Sequence, residues 1–226
     1  MYRFSVLSFT AYKGKKIGVC AMLEYMKLGG AIMWVIAGLS VIALAIVIER
    51  VIFFKRASTD AEALEMSFGK ALSERDIACA KELVSSSGSS MHRLFFASFA
   101  HWAVDRESMK MLVEQQVRRE IFRWEKNLFI LEIIGKTAPL LGLLGTVLGM
   151  VEMFQSLHIG GQINSATVTG GIWKALFTTV AGLAVAIPTV FAHGLLISAI
   201  DNEEETLNRG ADYLIREHFT SGSDAE

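Results

Sequence analysis

The sequence predicts an all-α integral membrane protein: three transmembrane helices, with long helices extending into a cytoplasmic helical domain. Three observations carry that expectation. Of the 226 residues, 52% are hydrophobic and only 20% are charged; a soluble domain of this composition would expose large apolar patches. Two prolines against 19 glycines disfavour disorder and turn-rich β architecture. Three apolar stretches are long enough to be membrane spans. The formal net charge of -1 implies no polyanion affinity, so nucleic acid is not an expected partner.

Residues 1–27 read as an extra-membrane segment on the outer side. Lys13, Lys15, Lys16 and Lys27 sit poorly on that side, and translation from Met22 or Met26 rather than Met1 would lessen the conflict. The first span is 28–49. Its first 21 residues, 28–48, carry no charge, which suits a hydrocarbon core about 30 Å thick. It is too long for a signal peptide and is followed by no small-residue cleavage site.

Residues 50–127 form a cytoplasmic helical domain and stalk, charged in both signs and free of proline. Thr59 with Glu62, and more weakly Ser73 with Asp76, resemble capping boxes ahead of two short helices over 60–72 and 74–84. The SSSGSS run at 85–90 breaks the chain. Apolar residues then recur at helical spacing: Leu94, Phe95, Phe99 and Trp102, followed by Met109, Leu112, Val113, Val117, Ile121 and Trp124. No obvious breaker separates Arg106 from Pro139, so the stalk is expected to run unbroken into the second span, about 75 Å for about 50 helical residues.

The second span is 128–157, the outer loop 158–166 and the third span 167–200. Arg118, Arg119, Arg123 and Lys126 precede the second span, whereas the loop has no Lys or Arg. The basic side faces the cytoplasm, which puts the N-terminus outside and the C-terminus inside. Residues 201–226 continue the third helix to about His218 before a cytoplasmic tail. On this topology Cys20 and Cys79 lie on opposite sides of the membrane; they fit no metal or redox spacing.

No catalytic signature emerges. GKT at 135–137 lacks the glycine a phosphate loop needs five positions before Gly135 and sits in an apolar helix. The histidines show no metal-ligand spacing, so neither enzyme activity nor a bound metal or cofactor is expected. The informative residues are intramembrane. Gly142, Gly145 and Gly149 form a small-residue stripe that admits a close neighbouring helix, with Thr146 beside it and Pro139 one turn before. On the third span, at 100° per residue, Thr178 falls about 40° from Lys174, Thr189 about 60°, His193 about 100° and Thr179 about 140°. Such a polar arc faces a bundle interior or a wet cavity, and Pro188 loosens the helix ladder beside it. Lys174 and Glu152 stand at similar depth, where they either pair across the hairpin or snorkel outwards separately.

APLLGLLGTVLGMVEMF (138–154) and GGIWKALFTTVAGLAVAIPTVFAHG (170–194), with the less specific GGAIMWVIAGLSVIALAIVIERVIFF (29–54), resemble the MotA/TolQ/ExbB proton-channel family, nearest its ExbB/TolQ branch. The resemblance covers about residues 26–218. It implies a proton-channel (stator) subunit of an inner-membrane motor that couples the proton motive force to envelope work, such as TonB-dependent uptake or Tol-type envelope maintenance. It implies a homopentamer around a dimer of a single-span ExbD/TolR-like protein carrying the proton-binding aspartate, a TonB-like or TolA-like effector, and lipid contact. The family's pore-facing threonines match Thr146 and Thr179; Thr178 and Lys174 join them as candidates for the ion path, with Glu152 as charge partner. The branch commonly has glutamate where this chain has Lys174, so an acid relay there is not expected, and sodium stands as the alternative coupling ion to protons. A gliding or export motor of the same family, or an independent ion channel or transporter, are the alternative readings.

Overall fold

The computed structural model describes residues 30–58, 61–74, 76–102, 104–160 and 165–223. Every regular element among them is an α-helix: α1 (Ala31–Ala57), α2 (Ala61–Ser73), α3 (Ile77–Ser85), α4 (Ser90–Phe99), α5 (Arg106–Glu125), α6 (Leu128–Gly160) and α7 (Ser165–Ser223). Three stretches, in α1, α6 and α7, are long and apolar enough to cross a membrane. The chain divides into two units. One takes in the start of α1 and residues 136–186; the other takes in residues 42–135 and 187–223 among those described.

In the first unit α6 and α7 form an antiparallel hairpin. A side chain on Gly182 would begin 2.5 Å from the Ala138 carbonyl oxygen, one on Gly142 3.0 Å from Thr179 Cα, and one on Gly149 3.3 Å from Ala175 Cβ. The pairing numbers descend on one helix as they climb on the other. Backbone contact this close needs glycine, as the small-residue stripe predicts. The opposite faces carry exposed Leu140, Leu143, Val147, Leu176 and Val180, which lipid or another helix would cover.

The second unit has the core of an ordinary soluble bundle. Phe68, Leu94, Phe95, Met109, Val113, Leu207 and Leu214 are fully buried and form one cluster drawn from α2, α4, α5 and α7. The Phe68 ring meets Phe95 edge-on at 5.1 Å, with Phe99 and Trp102 packed around it. The apolar stripe read from the sequence supplies this core, as amphipathic helices require. Short polar side chains set the boundaries. Asp76, Ser89 and Asp105 are the N-caps of α3, α4 and α5, accepting from the backbone N–H of Cys79, His92 and Ser108.

Two local expectations change. Thr59 lies outside the described residues, and at the other expected capping box Ser73 is the last residue of α2 while Asp76 itself caps α3. The unbroken stalk-to-membrane helix is also corrected. Helix α5 ends at Glu125, Asn127 takes a φ of 67°, and α6 starts at Leu128. Asparagine is among the few residues that enter this left-handed region readily and that close a helix there. Arg50, 2% exposed, fixes the break: its guanidinium donates to the carbonyls of Arg123 at 3.0 Å and Trp124 at 3.5 Å. Glu49 pairs with Arg50 and accepts from Asn127 Nδ2 at 3.3 Å. The last turn of α5 thus finds donors for carbonyls that its own ladder leaves unpaired. By contrast α7 runs from Ser165 through Pro188 to Ser223 without interruption, longer than expected.

Candidate functional site

The α6–α7 hairpin brings together most residues singled out from the sequence. Lys174 Nζ forms an ion pair with Glu152, so of the two arrangements left open, pairing across the hairpin is the one found. Gly30, at a φ of 70°, lies beside it: a side chain there would begin 3.7 Å from Lys174 Nζ. Between Pro139 and Ile200, Glu152 and Lys174 are the charged residues, and they neutralise each other.

The three threonines divide by partner. Thr178 is 1% exposed; its hydroxyl donates to the Ala175 carbonyl at 2.7 Å and faces the Gly142 carbonyl at 3.4 Å. It fills the space that Gly145 leaves, since a side chain on Gly145 would overlap its hydroxyl. Thr179, half-buried, donates across the hairpin to the Gly142 carbonyl at 3.2 Å. Thr146 donates to the Leu143 carbonyl of its own helix at 2.7 Å, the usual way a membrane hydroxyl is satisfied. Thr189, 4% exposed, continues the buried polar line of α7. Gly142 is therefore the meeting point of two hydroxyls from the facing helix, and Gly145 and Gly149 admit that helix. Pro139 and Pro188 both lie within helices, each near a boundary between the two units.

A second polar cluster, in the other unit, had no motif to announce it. Glu120 is fully buried and receives Arg93 Nε at 2.9 Å, Arg123 Nη1 at 2.8 Å and Gln116 Nε2 at 3.1 Å. Glu203, also buried, meets the Ser90 hydroxyl. Arg93 and Glu203 reach it from helices remote in sequence; the only local sign was the spacing of Gln116, Glu120 and Arg123 on one face of α5.

Comparison with known proteins bears on both units. The MotA/TolQ/ExbB proton channel family matches residues 86–209, more than half of the chain. An ExbB-like biopolymer transport protein of Synechocystis sp. is 33% identical over 179 residues, 77% of this chain and 70% of that protein. The chain belongs to the MotA/TolQ/ExbB proton channel family. Within it the ExbB/TolQ branch is the near one. The biopolymer transport protein ExbB of Helicobacter pylori is 45% identical over 76 residues, 34% of this chain and 52% of that protein. The Tol-Pal system protein TolQ of Pseudomonas aeruginosa is 38% identical over 87 residues, 38% of each. As a MotA/TolQ/ExbB protein this is a multi-pass inner-membrane subunit of a proton-channel, energy-transducing system and not an enzyme.

Proposed function

We propose that this chain is the stator subunit of a motor that couples the proton motive force to envelope work of the TonB-dependent uptake or Tol type. The N-terminus lies in the periplasm, residues 50–127 and 201–226 in the cytoplasm, and several copies, five in the family's usual arrangement, surround a dimer of an ExbD/TolR-like single-span partner that contacts a TonB-like or TolA-like effector. One observation carries this reading. Between Pro139 and Ile200 the chain offers hydroxyls, while its one acid, Glu152, is held by Lys174. With its one acid in that stretch held in an ion pair, the chain is suited to line a path rather than to supply the proton-carrying carboxylate. The carrier is then the partner's aspartate, and Thr146 and Thr179 face it. Thr178 is assigned to helix packing, on its burial against Gly142 and Gly145.

The test is proton flux in vesicles holding the chain with its single-span partner. Thr146→Val together with Thr179→Val should abolish partner-dependent flux while the complex still assembles. Unchanged flux in that double variant would reduce the threonines to packing, and proton conduction by the chain alone would make it an independent channel. Replacing the proton gradient by a sodium gradient in the same vesicles identifies the coupling ion.

A further inference from the structure

Glu203 lies on α7, three residues past Ile200, and is 8% exposed. A buried carboxylate requires a cation or several donors to replace its hydration. The groups that face it come from three helices: Ser90 and Arg93 from α4, Glu120 from α5, and the carbonyl of Ala57, the last residue of α1, through Ser90. The charge of Arg93 favours the ionised form of Glu203, but its hydrogen bonds go elsewhere. Its Nε and Nη2 both go to Glu120 Oε2, and its Nη1 goes to the Gly88 carbonyl. Glu120, which also receives Arg123, is thus the acid of this cluster that holds the guanidinium groups.

Hydrogen accounting decides the rest. Ser90 Oγ is within hydrogen-bonding reach of both the Glu203 carboxyl and, at 3.1 Å, the Ala57 carbonyl. A hydroxyl has one hydrogen, and a carbonyl has none to give. The two contacts form two separate two-centre hydrogen bonds, rather than sharing one hydrogen, only when Glu203 carries a proton: its O–H donates to Ser90 Oγ, and the Ser90 O–H donates to the Ala57 oxygen. Burial pushes the Glu203 carboxyl upward, the hydrogen bond from Ser90 and the charge of Arg93 oppose it, and the charge of Glu120 adds to the rise.

We propose that Glu203 is a proton-binding site outside the ion path, whose proton closes a Glu203–Ser90–Ala57 relay that latches the end of α1 to α4 and α7. Loss of that proton to water leaves a carboxylate that takes the single Ser90 hydrogen, and the Ala57 carbonyl is let go. Since α1 also contains the first membrane-spanning stretch, the latch gives the chain a response to the pH on the bundle side of the membrane. The inference needs neither a partner nor ion flux, so it stands or falls separately from the stator reading.

The experiment uses the full chain in lipid nanodiscs. Infrared difference spectra follow the carboxylic-acid C=O band through a pH titration, and amide hydrogen exchange follows residues 54–58. Above the ordinary carboxyl range the wild type should still show an acid band that Glu203→Gln lacks. As that band disappears on alkalinisation, protection at the end of α1 should fall about two- to tenfold, the worth of one hydrogen bond. In Glu203→Gln that protection should not change with pH once intrinsic exchange is corrected for. Ser90→Ala should keep the acid band but exchange quickly at 54–58 at every pH. Absence of a Glu203-dependent acid band above the ordinary carboxyl range, or constant protection in the wild type through the band's disappearance, overturns the proposal. If Glu203→Gln does not fold, the wild-type titration and Ser90→Ala decide it by the same criteria.

Discussion

At the residue scale, the two charges of the third and second spans answer each other. Lys174 on α7 forms an ion pair with Glu152 on the facing helix. Lys174→Glu sets two acids side by side and should lower the melting temperature of the detergent-solubilised chain more than Lys174→Gln does. Adding Glu152→Lys should recover the loss, a coupling that a double-mutant cycle measures directly; equal melting of all four proteins would mean the charges act independently. Glu120 is a sharper case because it is fully buried with two arginines. Removing one partner of a buried pair strands the other charge, so Glu120→Ala should cost about 3–5 kcal/mol in denaturant unfolding. Sequence alone suggested the first pair, as two opposite charges at like depth. For the second it offered only the local spacing of Gln116, Glu120 and Arg123, because Arg93 and Glu203 approach Glu120 only when α4 and α7 pack on α5.

At the element scale, the break between α5 and α6 and the glycine stripe set where helices stop and how near they come. Asn127 holds a φ of 67°, which costs a β-branched residue most. Asn127→Gly should be neutral or slightly stabilising, whereas Asn127→Val should destabilise by about 1–2 kcal/mol, read from the shift in thermal midpoint. Equal effects of the two would place the strain elsewhere. Along the hairpin, Gly182→Ala thrusts a methyl group at the Ala138 carbonyl, 2.5 Å away. Neither backbone can give way, so a loss of about 1–3 kcal/mol is expected, together with broadened elution in size-exclusion chromatography. Gly170→Ala meets nothing within 4 Å and serves as the control. The stripe could be read from steps of three and four residues. The break could not, because a lone asparagine inside a helical pattern takes the left-handed conformation only when something such as Arg50 satisfies the carbonyls it leaves open.

At the scale of the whole molecule, the apolar half of the composition has two destinations. The residues of the second unit's core face one another, while many of the large apolar residues of α1, α6 and α7 are exposed. The stability of the chain should also respond to pH from two sides. Burial depresses the His92 pKa, so the unfolded chain binds the proton more readily; that contribution is whole above the ordinary histidine value and is lost as pH falls below it. Burial raises the Glu203 pKa, so the folded chain holds the proton more readily; that contribution is whole below the ordinary carboxyl range and is lost as pH rises through the raised value. Melting temperature against pH should therefore lose its acid-side slope in His92→Gln and its alkaline-side slope in Glu203→Gln, each without the other. A His92→Gln profile that overlays the wild type would show that this ring does not set the acid limb.

What the sequence determined by itself was everything that depends on periodicity and local composition: three apolar spans, an amphipathic core stripe, a close-packed glycine face and a polar arc on the third span. These follow from one chain's hydrophobic pattern, which is written in neighbouring residues. Tertiary structure decided what depends on groups meeting from distant positions. It chose pairing for Lys174 and Glu152, placed Thr178 in the hairpin contact, stopped α5 at Asn127 under Arg50, and gathered Glu120, Arg93, Ser90 and Glu203 into one buried cluster. The physical reason is that a hydrogen bond or ion pair is specified by geometry at about 3 Å, and no pattern along the chain encodes which remote helix will supply the other half.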